Sequence, residues 1–240
     1  LTYVTLSPTP RRARGWDSAA NNPTHATHSY LTEWALDELK ATYPDLESHR
    51  QALIDGANAE LHELPARDYE KDMGRKYGLD LEALRVQHQG TNEGCGDIAG
   101  WWADSLAAYR AGEEARAYFL LGVVLHMVQD MGVPAHANKV HHQGNATEFD
   151  NFEFMALNNW KPKFDDTNRA DPALADPAKY YDFSQQWTHA DAPDYDDRDE
   201  FSKFWATASK SEKRLLSNRQ GRTCHLTKWT LTSAAKAFGL

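Results

Sequence analysis

Apolar residues recur along this chain at intervals of three and four, and no stretch alternates with a sustained period of two. From His28, HSYLTEWALDELKATY sets Leu31, Ala35 and Leu39 four apart with Trp34 beside them, predicting a helix that stops at Pro44. A second helix is predicted over about 45–61, with Leu46, Leu53, Ile54 and Ala57 on one face. Residues 62–94 read as a loop holding a short helical piece near 79–86, and 97–111 as a third amphipathic helix. Glu113 and Glu114 open a fourth, where acids favour the positive end of the helix dipole. That segment is apolar nearly all round, which marks it as the central helix, and it ends at Gly132-Val133-Pro134. A loop to 146, a helix to about 160, a Pro/Asp-rich connection to about 177 and helices near 198–216 and 225–238 complete the reading. Residues 1–27 read as an irregular leader. The expectation is a single all-α domain spanning 1–240.

Composition narrows the function classes. At 41% hydrophobic and 25% charged, the chain is of ordinary globular type, and collagen-like or disordered classes are excluded. The longest apolar run, residues 117–128, is too short to span a bilayer. Net charge is −9, which disfavours a protein that lives on duplex phosphate contacts. Two cysteines, Cys95 and Cys224, are too few for a disulfide scaffold or a thiolate zinc finger. Counting alone leaves one long-range bridge and two buried thiols equally open. The chain opens Leu-Thr-Tyr without a charged-then-apolar signal segment, which reads as a mature or trimmed amino terminus. There is no Gly-rich phosphate loop and no G-x-S-x-G elbow. The acidic strip 191–200 reads as a solvated loop, or more sharply as a site for a cation or cationic head group. Trp101, Trp102, Trp187, Trp205 and Trp229 read as core.

Chemistry concentrates in the histidines, of which there are eleven. The central helix ends in HMVQDMGVPAH, which is His126-x3-Asp130-x5-His136. Residues four apart share a helical face, so His126 and Asp130 can converge on one ion. Gly132 and Pro134 end the helix and allow His136 to return to the same place. Nitrogen and carboxylate donors without thiolate suit zinc or a similar divalent ion. Burying such groups without partners would be costly.

With these residues in view, the chain resembles the bacterial zinc-dependent phospholipases C, which share a fold with fungal zinc single-strand nucleases. The family motif H-x3-D-x5-H is matched by His126, Asp130 and His136. The approach YFLLGVVLHM is similar to the family's helix before its metal histidine. His28 opening an apolar-periodic helix is a second match, and Arg50-x2-Leu53-x2-Gly56 a third. The resemblance covers roughly residues 16–155.

The resemblance implies two to three zinc ions per chain. One ion would take His126, Asp130, His88 and a carboxylate at the end of the second helix. The family has an Asp five positions after the glycine; Leu61 stands there in this chain, so Glu60 is the replacement and Asp68 the reserve. A second ion would take His136, His142 (or His141) and Glu153 (or Asp150), since Phe149 occupies the family's histidine position. A third would take His28, with Asp130 bridging. The family completes this ion with an amino-terminal Trp, but Trp16 is internal here. The Leu1 amine, a new terminus after Arg14-Gly15, or His25 stand as alternatives. Asp130 and Glu60 would be the catalytic carboxylates, with Glu60 or Asp68 orienting the attacking water.

The function implied is a phospholipase C releasing diacylglycerol and a phosphorylated head group, choline or ethanolamine, during transient contact with a membrane surface. No protein partner is implied. The resemblance also implies an exported enzyme, secreted or periplasmic, with Cys95 and Cys224 joined. The alternatives are a single-strand nuclease of the same fold, with nucleic acid as its partner, and a non-catalytic exported metal-binding helical domain.

Overall fold

The structure, a computed structural model, describes residues 27–59, 68–88, 98–133, 162 and 210–240. Among them the chain forms eight helices and no strand: α1 (Thr27–Leu39), α2 (Pro44–Ser48), α3 (Arg50–Ala57), α4 (Asp68–Lys76), α5 (Leu81–Gln87), α6 (Ile98–Arg110), α7 (Glu114–Asp130) and α8 (Lys210–Phe238). The described part is therefore all-α, as the apolar spacing predicts.

Three boundaries differ from the sequence reading. The helix expected over 45–61 is broken at His49, whose backbone leaves helical geometry between α2 and α3. At the break the His49 ring stacks on Tyr118 at 4.1 Å, while Arg50 turns its guanidinium onto Glu47 and, at 2.7 Å, onto Asp37 of α1. The region 62–94 holds α4 as well as α5. The sequence DYEKDMGRK is too polar to announce a core helix, yet tertiary bonds at its end hold it. Lys76 Nζ and Tyr77 Oη both reach the Asp55 carboxylate on α3, at 2.8 and 2.6 Å. Burial and the Asp55 hydrogen bond push the Tyr77 phenol well up, so it stays neutral and donates. Finally, the two helices expected near the carboxy terminus are one continuous helix, α8, from 210 onward.

The core forms around α7, buried continuously from Ala117 to Asp130. It packs α3 on one side and α6 on another, while α8 lies across α1 and α7. Phe238 closes the far end, stacked on Tyr109 at 4.0 Å and edge-on to Tyr118 at 5.4 Å. The α3–α7 crossing is set by two glycines. A Cβ at Gly56 would lie 2.9 Å from Gly122 Cα, and closer still to the Phe119 carbonyl oxygen. A Cβ at Gly122 would lie 2.8 Å from Gly56 Cα and 2.9 Å from Ala57 N, against the Leu53 carbonyl. Backbone faces backbone here, so no flexible side chain can yield.

Gly122→Ala is therefore expected to destabilise the fold by roughly 1–3 kcal/mol or more, the usual cost of overpacking a rigid core. Urea unfolding measures it, and a change below about 0.5 kcal/mol, typical of a surface substitution, would contradict the crossing.

Candidate metal centre

One turn after Gly122 on α7 comes His126, so the glycine crossing carries that histidine to the end of α3. The Ala57 carbonyl belongs to the last turn of α3, whose acceptors need partners from outside the helix. His126 Nδ1 meets it at 2.9 Å. A carbonyl only accepts, so Nδ1 donates, and in the neutral ring the lone pair of His126 lies on Nε2. Next door, Asn58 Nδ2 donates to Ser29 Oγ at 2.9 Å, tying the end of α3 to the first turn of α1. That turn also carries His28.

His28 is fully buried, and its ring stacks on the His126 ring at 4.3 Å. Its Nδ1 lies 2.6 Å from Gln129 Oε1, and its Nε2 lies 3.3 Å from Asp130 Oδ1. His126 Nε2 lies 3.2 Å from the other oxygen, Asp130 Oδ2. One donor atom from each of His28, His126 and Asp130 falls within 4.8 Å of the others, the only such group among the described residues.

With each Nδ1 acting as donor, two imidazole lone pairs face two carboxylate oxygens inside the protein. That arrangement suits an electron-poor centre among them, either a shared proton or a metal cation. Two borderline nitrogens and a hard bridging carboxylate, with no thiolate, fit zinc. The donor chemistry thus matches the group that the sequence resemblance implies, and the partners on Nδ1 are those that orient metal-binding histidines.

Three expected ligands therefore meet: His28, His126 and Asp130. His88 is not in this group. It is buried at the end of α5, with Nε2 2.8 Å from Asp104 Oδ2 and its ring 4.6 Å from Trp101 on α6. Asp68 opens α4, and only its backbone is described. Leu1, Trp16, His25, Glu60, Leu61, Cys95, His136, His141, His142, Phe149, Asp150, Glu153 and the strip 191–200 lie outside the described residues. Cys224 carries a free thiol rather than the expected bridge to Cys95, and it sits fully buried on α8. Burial pushes that thiol up, which keeps it protonated and a poor nucleophile or ligand.

Sequence reading passed over Gln129, Asn58, Thr32 and Thr227. Gln129 gave one signal, a polar residue beside Asp130 at the end of an otherwise apolar helix. The Thr-rich α8 face gave none, because buried and exposed threonines are alike in sequence.

No protein-family model, curated protein or solved structure matches this chain.

Two outcomes follow. Cys224 should resist alkylation in the native protein and react on unfolding without added reductant; mass spectrometry reads both states, and a requirement for reductant would restore the bridge. His126→Ala and Asp130→Asn should each abolish tight zinc binding in a chelator competition. His49→Ala should keep it, since His49 faces Glu114 at 3.2 Å on another part of α7.

Proposed function

We propose that this protein is a zinc-dependent phosphodiesterase, acting as a phospholipase C on the glycerol-side phosphodiester of phospholipids. The observation that carries the reading is the convergence of His28 Nε2 and His126 Nε2 on the two oxygens of Asp130. Two of these residues belong to His126-x3-Asp130-x5-His136, the motif on which the resemblance rests. The core ligand set is His28, His126 and Asp130, to be completed by His136, His142 and Glu153.

Each residue has a distinct part. Asp130 offers one oxygen to each imidazole, the arrangement of a carboxylate shared between cations. His126 is held by the Ala57 backbone carbonyl, so turning its ring away would break that hydrogen bond between α7 and α3. His28 enters from α1, so the site joins three helices and depends on their packing. Clustered zinc held by these residues would supply Lewis-acid stabilisation of a phosphoryl group and would acidify a water at neutral pH. A phosphodiester fits that chemistry, and the resemblance points to it. Net charge −9 and the acidic strip 191–200 favour a zwitterionic lipid with a cationic head group over a polyanionic strand.

The purified, zinc-supplemented protein should retain two to three ions and release phosphocholine from short-chain phosphatidylcholine. It should do so faster than it degrades single-stranded DNA at equal phosphate concentration. Nuclease activity without lipid turnover would overturn the substrate and leave the metal site standing. Less than one ion per chain would overturn both.

A further inference from the structure

The Gln129 side chain is fully buried between His28 on α1 and the inward face of α8. Its Nε2 lies 3.1 Å from Thr32 Oγ1 and 3.2 Å from Thr227 Oγ1, and its Oε1 lies 2.6 Å from His28 Nδ1. The two ends of an amide have nearly the same shape, so their polarity must be read from the neighbours. Thr227 provides it. Its hydroxyl lies 2.8 Å from the Thr223 backbone carbonyl one turn earlier, and a carbonyl only accepts. The Thr227 proton is thereby committed, and its oxygen is left to accept from Gln129. The amide must then present NH2 to Thr227 and its carbonyl to His28. His28 Nδ1 must in turn carry the proton, which leaves the Nε2 lone pair aimed at Asp130.

We infer that Thr223, Thr227 and Gln129 form a polarity relay that sets the tautomer of His28, with Gln129 as a positioning residue for cation binding. The two histidines are therefore held by different means. A backbone carbonyl orients His126 and no side-chain substitution at Ala57 can remove it. His28 depends on a side chain whose own orientation is decided on α8, far along the chain. A carboxylate at 129 would lack the two donors that Thr32 and Thr227 receive, and an apolar side chain would leave His28 Nδ1 without its acceptor. The relay bears on function through the metal reading above, but the tautomer assignment stands on hydrogen-bond geometry alone.

The test uses the whole, metal-free protein with imidazole nitrogens labelled, at a pH where the His28 ring is neutral. Multiple-bond proton–nitrogen NMR should show His28 protonated on Nδ1. Gln129→Leu should mix or reverse the tautomers and weaken zinc binding by about 10–100-fold, the usual effect of losing an outer-shell partner. Thr227→Val, which replaces the hydroxyl with a methyl group of similar size, should shift the His28 tautomer in the same direction, and Thr227→Ser should restore it. A merely structural role would not give that hydroxyl-specific rescue, and Thr227→Val carries the test if Gln129→Leu fails to fold. His28 protonated on Nε2 in the unmodified protein, or a tautomer unmoved by both Gln129→Leu and Thr227→Val, would overturn the relay. The expected tautomer response in a protein that binds no zinc would uphold the relay while overturning the metal reading.

Discussion

Backbone contact between Gly56 and Gly122 is the constraint on which the rest of the described structure depends. Helices separated by ordinary side chains lie about 8–10 Å apart. Here α3 and α7 touch, and one turn beyond the contact His126 meets the Ala57 carbonyl. The same closeness brings the end of α3 against the first turn of α1, where Asn58 holds Ser29 and His28 stacks on His126. A packing feature and a chemical one are thus the same feature. Widening the crossing by one methyl group would disturb the fold and the orientation of the histidines together.

The second constraint is electrostatic. Asp130 is 2% exposed, at the end of a helix buried continuously over its last fourteen residues. A carboxylate in that position needs positive charge or several donors close by, and two imidazole nitrogens lie 3.2 and 3.3 Å from its oxygens. Both rings are committed on Nδ1 to acceptors, one a main-chain carbonyl and one an amide oxygen. The two His–Asp pairs, at 3.3 and 3.2 Å, form an arrangement that accommodates a shared proton or a cation.

Much of this was legible in the sequence because helical period carries through to packing. The spacing of Leu31, Ala35 and Leu39 marked α1, and the unbroken apolar run marked α7 as central. His126 and Asp130, four apart, were bound to share a face. Gly56 stood out within Arg50-x2-Leu53-x2-Gly56, although nothing in the sequence paired it with Gly122. What escaped has physical reasons. α4 is polar and is held by bonds from Lys76 and Tyr77 to Asp55, which period alone does not reveal. The stretch SNRQGRTC reads as a break between two helices, and Gln220 and Thr223 within it, like Thr227 beyond it, are polar. They are in fact the buried face of α8, and Thr227 is part of what orients Gln129. His88, named among the ligands by resemblance, lies beside Asp104 at 2.8 Å, a partner with no motif to announce it.

The most direct measurement is X-ray absorption at the zinc edge of the zinc-loaded full chain. Two imidazoles and a carboxylate predict a shell of nitrogen and oxygen at about 2.0–2.2 Å, without sulfur. Outer-shell scattering should show imidazole rings that diminish in His28→Ala and in His126→Ala alike. A sulfur shell near 2.3 Å, or a spectrum unchanged by both substitutions, would place the metal elsewhere and contradict the account.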